Sequence, residues 1–197
     1  RPRLARARAR TPAPCRRRGR RSLARAWLSD ADGHLDYLAR DGDLAAVIAR
    51  ARAAGVGPMI TICTKLSEFE LVRGIAAAHE DVWCSLGVHP HEAEEEGQRT
   101  AGRLIELAAD PKVVGIGETG LDYFYEHSPR QAQQHSFRAH IAASRETELP
   151  LIVHTRDADE DTVAILQDEY GKGAFPGVIH CFTAGPKLAR AALDLGF

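Results

Sequence analysis

The feature that most constrains this chain is an alternation. Short apolar, β-branched runs recur about every 25 to 35 residues, each followed by a helical pattern. The runs fall at 27–30, 59–62, 83–88, 113–116, 151–153 and 178–179. Helical periodicity follows from about residue 43, stopping at Gly55, and again over 101–109, 159–170 (closed by Gly171) and 186–195. Ser67-Glu68-Phe69-Glu70 reads as a capping box opening another helix. Ser128-Pro129-Arg130-Gln131 reads as a second box opening the longest helix, with proline at the first helical position.

Six βα units of this kind predict an α/β fold with a parallel sheet. No Gly-rich phosphate fingerprint follows the first strand, which argues against a dinucleotide-binding open sheet. The expectation is a TIM-type (β/α)8 barrel, of which about six units are present over residues 27–197.

The near-zero net charge of −1 conceals an asymmetry. Residues 1–26 hold eleven Arg and no acid, so the remaining chain carries −1 − 11 = −12. That head lacks hydrophobic periodicity and the apolar core of a signal peptide. It is expected to be a disordered leader, or one translated from upstream of the true start. A nucleic-acid-binding arm and a targeting segment are the alternatives. Cys15, Cys63, Cys84 and Cys181 show no paired spacing, and Cys63 and Cys84 sit in apolar runs as small buried residues would. A reducing, cytoplasmic compartment fits that usage. No apolar run approaches the ~18 residues of a membrane helix, and nothing indicates an obligate protein partner.

Four of the runs lead into residues that bind metals: GVHPH with His89 and His91, GIGETGLD with Glu118, PLIVHTR with His154, and GVIHCF with His180. Strand ends converge on one face of a parallel barrel, where its chemistry sits. Asp32 and His34, alternate residues at the first strand's end, could share an ion, although Asp-Gly is also a common turn. Glu118 at a strand tip could bridge two ions or serve as a cap or ion-pair partner. Each histidine alone reads as a core residue; together with Glu118 and His34, His154 and His180 point to a metal centre. Imidazole with carboxylate suits zinc, manganese or iron. Arg156 could grip a phosphate bidentately, and a salt bridge to Asp157 or Glu160 is the plainer alternative. His89 and His91 flank Pro90 in what reads as an exposed turn and are candidate substrate contacts, with plain surface histidines the alternative. Tyr123, Phe124 and Tyr125 could stack an end base, with core packing the expected use of at least one.

The segments VGIGETGLDYF, PLIVHTRDADE, VIHCFTAG and GVHPH resemble, in order, the signature segments of the TatD-type deoxyribonucleases, metal-dependent hydrolases of the amidohydrolase-like barrel group. The resemblance runs from about residue 27 to 197. It implies that Glu118 bridges two divalent ions (Mg2+, Mn2+ or Zn2+), that His154 and His180 hold the second, and that an H-x-H pair on the first strand holds the first. Here that pair is Asp32-Gly33-His34, and aspartate shifts the site toward harder metals. The resemblance also implies a last ligand, an aspartate in a later E-T-D segment that these 197 residues do not include. The last two βα units are therefore expected to be missing and this chain to be inactive or nearly so.

The implied activity is two-metal hydrolysis of DNA phosphodiesters, of the 3′-exonuclease kind, with DNA ends or single-stranded DNA as substrate. The acidic body fits trimming of ends better than clamping a duplex. A truncated or decayed non-catalytic relative is the alternative, and a hydrolase of small amides, lactones or phosphotriesters a further one.

Overall fold

The computed structural model describes residues 28–96 and 100–197. The Arg-rich head of the sequence reading, with Trp27, lies outside the described residues. Strands β1 (Leu28–Gly33), β2 (Val56–Thr61), β3 (Val82–Leu86), β4 (Val113–Asp122), β5 (Leu151–Arg156) and β6 (Gly177–Ile179) form one sheet in chain order. Every neighbouring pair is parallel. Strictly sequential order means every crossover returns on the same side, which curls the sheet into a barrel wall. A doubly wound sheet would reverse its strand order partway. The expected α/β barrel, six units of it, is what forms.

Helices α2 (Leu44–Ala53), α3 (Phe69–Ala78), α5 (Ala101–Leu107), α6 (Arg130–Thr147), α7 (Asp159–Tyr170) and α8 (Pro186–Asp194) occupy the expected crossovers. Phe137 and Ile141 of α6 are fully buried with Ile116 and Leu121 of β4 and Leu151 and Val153 of β5 in one core cluster. Cys63 and Cys84 are fully buried as expected, and burial pushes both thiols up to about 12. The edge strands bury less: Leu28 and Val178 are exposed.

Several local readings are corrected. Two short helices, α1 (Leu35–Asp41) and α4 (Ala93–Glu96), follow β1 and β3 where no helix was expected. The four residues of α4 are too few to establish a period. Neither capping box forms. The Ser67 hydroxyl and amide both bond to the buried Glu96 carboxylate of α4. Ser128 Oγ donates to the His91 carbonyl (2.7 Å) and accepts from the Glu94 amide (3.1 Å). Long-range partners took both hydroxyls, and Pro129 sits just before the first helical residue. Strands β4 and β5 also run further than expected, so Glu118, His154 and Arg156 lie within strands.

His140 of α6 is the buried link between this helix and β3. Its Nε2 accepts the Val88 amide (3.0 Å), so Nδ1 carries the proton and donates to the Ser136 carbonyl (2.7 Å). Burial pushes its pKa down to about 4, from the ordinary ~6.5. Between those values the unfolded chain binds a proton that the folded chain refuses. Stability is therefore complete above pH ~6.5 and falls as pH drops toward 4. His140→Gln, which can still accept the Val88 amide, should flatten that window by up to about 3 kcal/mol. Urea midpoints of both proteins across the window check this; parallel curves would refute the assignment.

Candidate metal centre

The C-terminal ends of the strands bring the chemistry together. Register irregularities decide where side chains point. Between the pairs Ile116–Leu151 and Thr119–Val153, β4 advances three residues while β5 advances two. The extra residue is a bulge at Gly117-Glu118, and bulges re-aim side chains. A similar extra residue sits on β1 between Asp30 and Gly33, just beside Asp32. Close backbone approach does the rest. A Cβ on Gly87 would lie 2.5 Å from the Gly117 backbone, so only glycine lets the chain leading to His89 pass over β4.

Glu118 is the hub, only 4% exposed. Its Oε1 lies 2.9 Å from His154 Nδ1, in direct contact with His180 Nε2, and 3.7 Å from His89 Nε2. Burial would raise its pKa, but hydrogen bonds from His154 and His180 and the charge of the neighbouring imidazoles hold it well below the usual carboxylate range. The same carboxylate, with Asp32 as the Asp partner, raises His180 against the opposing effect of burial. His180 Nδ1 lies 3.3 Å from Asp32 Oδ2, joining the mouths of the first and last strands.

Two donor sets meet at Glu118. Asp32, His34 and Glu118 offer ligand atoms within 4.8 Å of one another, and His34 Nδ1 is buried without a hydrogen-bond partner among the described residues. An unsatisfied buried imidazole nitrogen beside two carboxylates fits a divalent cation. His89, Glu118 and His154 form a second such group. His89, however, accepts the His91 amide at Nδ1 (3.2 Å), which leaves its proton on Nε2, the atom facing Glu118. Burial pushes His89 down to about 3, so the ring stays neutral. A neutral imidazole with Nε2–H toward the site is a donor there, not a ligand.

The sequence reading missed Asp122, which is 1% exposed. Its Oδ2 lies 2.9 Å from His91 Nε2 and 3.2 Å from His154 Nε2. Its Oδ1 accepts the amides of Phe124 and Tyr125, both at 3.0 Å. Gln133 of α6 bonds the Asp122 amide and carbonyl and so fixes the strand end. Burial raises the Asp122 pKa, yet the Tyr125 amide and the two imidazoles bring it below its ordinary value. The signal was present: Glu118, Gly120 and Asp122 share one face by strand alternation.

The remaining expected residues fall around this centre. A cavity of about 410 Å³ is lined by His34, His89, His91, Glu118, His154 and His180, with Tyr37, Arg40 and Lys65 on its rim. Arg156 makes neither of the expected salt bridges among the described residues; its guanidinium lies over Phe124 (4.2 Å) and Tyr125 (4.7 Å). Tyr123 is engaged elsewhere. Its hydroxyl bonds Asp161 and Gln134, both at 2.7 Å, and Arg130 covers its ring. It is the packed member of the aromatic trio.

Known proteins resemble this chain in sequence and in fold. The model of the family described as TatD related DNase matches residues 29–197. The uncharacterized metal-dependent hydrolase YabD of Bacillus subtilis is 36% identical over 170 residues, covering 86% of this chain and 66% of its own length. The 3′-5′ ssDNA/RNA exonuclease TatD of Klebsiella pneumoniae is 38% identical over 151 residues, covering 76% and 57%. The crystal structure of YjjV, a TatD homologue from Escherichia coli K12, superposes with a TM-score of 0.77 at 27% identity, over 87% of this chain and 66% of that one. The chain thus spans less than two thirds of the length of these curated relatives.

Proposed function

The chain belongs to the TatD-related DNase family, and from that premise we propose that it acts as a divalent-metal-dependent hydrolase of phosphodiester bonds at the ends of single-stranded DNA. The observation that carries this is the convergence of the His89, His154 and His180 imidazoles on the single buried carboxylate of Glu118, which also completes a donor set with Asp32 and His34. Asp32, His34 and Glu118 would hold one ion; Glu118, His154 and His180 would hold a second, with Mg2+, Mn2+ or Zn2+ all compatible with mixed nitrogen and oxygen donors. When bound, such ions polarise the phosphoryl group and make water a nucleophile near neutral pH.

The chain's own residues do the rest. His89 presents Nε2–H toward Glu118 and is positioned to donate to a phosphate or leaving oxygen. Asp122 braces His154 from the far side, holding the ring against Glu118, as carboxylates behind metal-binding histidines do. His91, on the same carboxylate, lines the cavity beside it. A cavity of about 410 Å³ suits a terminal nucleotide better than a duplex, and a body carrying −12 disfavours long polyanions. No helix among the described residues is long and apolar enough to cross a membrane. Free thiols at Cys63, Cys84 and Cys181 fit a cytoplasmic setting.

The test uses the protein expressed from its own gene. Nucleotides should be released from the 3′ end of single-stranded DNA with Mn2+ or Mg2+, stop on chelation with EDTA, and resume when the ion is restored. Failure to bind any divalent ion by calorimetry, or binding without ion-dependent cleavage, would overturn the proposal.

A further inference from the structure

We propose that Phe124, Tyr125 and Arg156 form a shelf that stacks the terminal base of a DNA strand whose phosphodiester lies at Glu118. This rests on the hydrolase reading above and adds the recognition element that reading lacks. Phe124 is 54% exposed and Tyr125 is 50% exposed, side by side on the rim of the barrel mouth. Their rings meet edge to face at 4.7 Å, and the Arg156 guanidinium lies over both. In a body this rich in carboxylates, with Asp157 adjacent, Arg156 still makes no ion pair among the described residues. Its planar cation instead packs into the angle between the two perpendicular rings, an aromatic–guanidinium cluster of the kind against which nucleobases stack.

The shelf is tied rigidly to the metal centre. Asp122 Oδ1 accepts the amides of Phe124 and Tyr125, while its Oδ2 touches His91 and His154. One buried carboxylate therefore sets both the height of the shelf and the position of two site imidazoles. The Tyr125 ring also meets the His91 edge at 5.5 Å and stacks on His127 at 5.6 Å. Arg156 further lines a hollow of about 420 Å³ together with His154 and His180, so the shelf opens directly onto the centre. Beyond Arg156 the next hollow has a net negative lining, with Asp157, Asp159, Glu160 and Asp161 outnumbering Arg130 and Arg156 itself. Those charges repel a continuing phosphate backbone, so the platform serves a base at the strand's end.

Stacking selects a flat base without regard to its identity, so the test removes the base. Two measurements are made on the full chain. The first places 2-aminopurine at the 3′ terminus of a single-stranded oligonucleotide and follows its fluorescence in EDTA, where nothing is cleaved. Quenching on binding is expected with the wild-type protein and not with the pair Phe124→Leu and Tyr125→Leu, which keeps apolar bulk and removes the rings. The second compares ion-dependent release from strands ending in a normal or an abasic nucleotide. Wild type should prefer the base-bearing end by about tenfold or more in kcat/KM, and the variant should lose the preference. Absence of quenching, or equal rates on both ends in wild type, overturns the shelf whatever the variant does. Quenching without ion-dependent cleavage of either strand sinks the hydrolase reading and leaves the shelf standing.

Discussion

Glu118→Gln should abolish high-affinity divalent-ion binding and lower kcat/KM by about three orders of magnitude. The substitution preserves shape, so the effect isolates charge. Glu118 is buried, and its Oε1 is the shared neighbour of His89, His154 and His180. An amide placed there is neutral and offers one acceptor in place of two anionic oxygens, so the Asp32–His34 pair and the His154–His180 pair lose their shared neighbour. Calorimetric titration with Mn2+ reads the first effect and nucleotide release the second. Retention of more than about a tenth of the rate, or of tight ion binding, would remove Glu118 from the bridging role.

The second large effect is expected at a residue with no side chain. Gly120 adopts φ +140, and a Cβ there would sit 2.0 Å from the His154 carbonyl oxygen. Gly120 is also the register partner of His154. Gly120→Ala must therefore push β5 away from β4 or refold the strand locally. Backbone strain and overpacking together should cost about 3 to 5 kcal/mol. Because His154 moves with its backbone, ion binding should weaken in the same variant. Gly74 supplies the contrast: it lies in α3 with nothing within 4 Å of an added Cβ, so Gly74→Ala should be neutral or stabilising by up to about 1 kcal/mol. Urea midpoints of the two variants decide the matter, and similar shifts in both would refute the steric account.

The repeated strand–helix alternation was legible because hydrophobic period is a local property. It carried the order of β1–β6 and singled out Glu118, His154 and His180, although Glu118 and His154 lie within β4 and β5 and only His180 follows its strand. Helix α4 was not legible, since four residues hold too little period to stand out, whereas α1 is as long as the expected α5 and carries Leu35, Leu38 and Ala39 at helical spacing. The capping boxes failed for a different reason. Ser67 and Ser128 have the right neighbours for local caps, but their hydroxyls are claimed by Glu96, Glu94 and His91 from elsewhere in the chain. Local propensity does not register a competitor 29 residues away.

The amino-acid sequence alone thus determined the fold class and which residue types could serve as ligands, because composition and period are carried residue by residue. The tertiary structure decided their roles. A bulge at Gly117-Glu118 aims the hub, and the His91 amide assigns the His89 proton. Asp122, given no role in the sequence reading, joins the aromatic rim to the site. Each of these depends on which backbone group or carboxylate lies within ~3 Å, a distance set only once parallel strands have found their register.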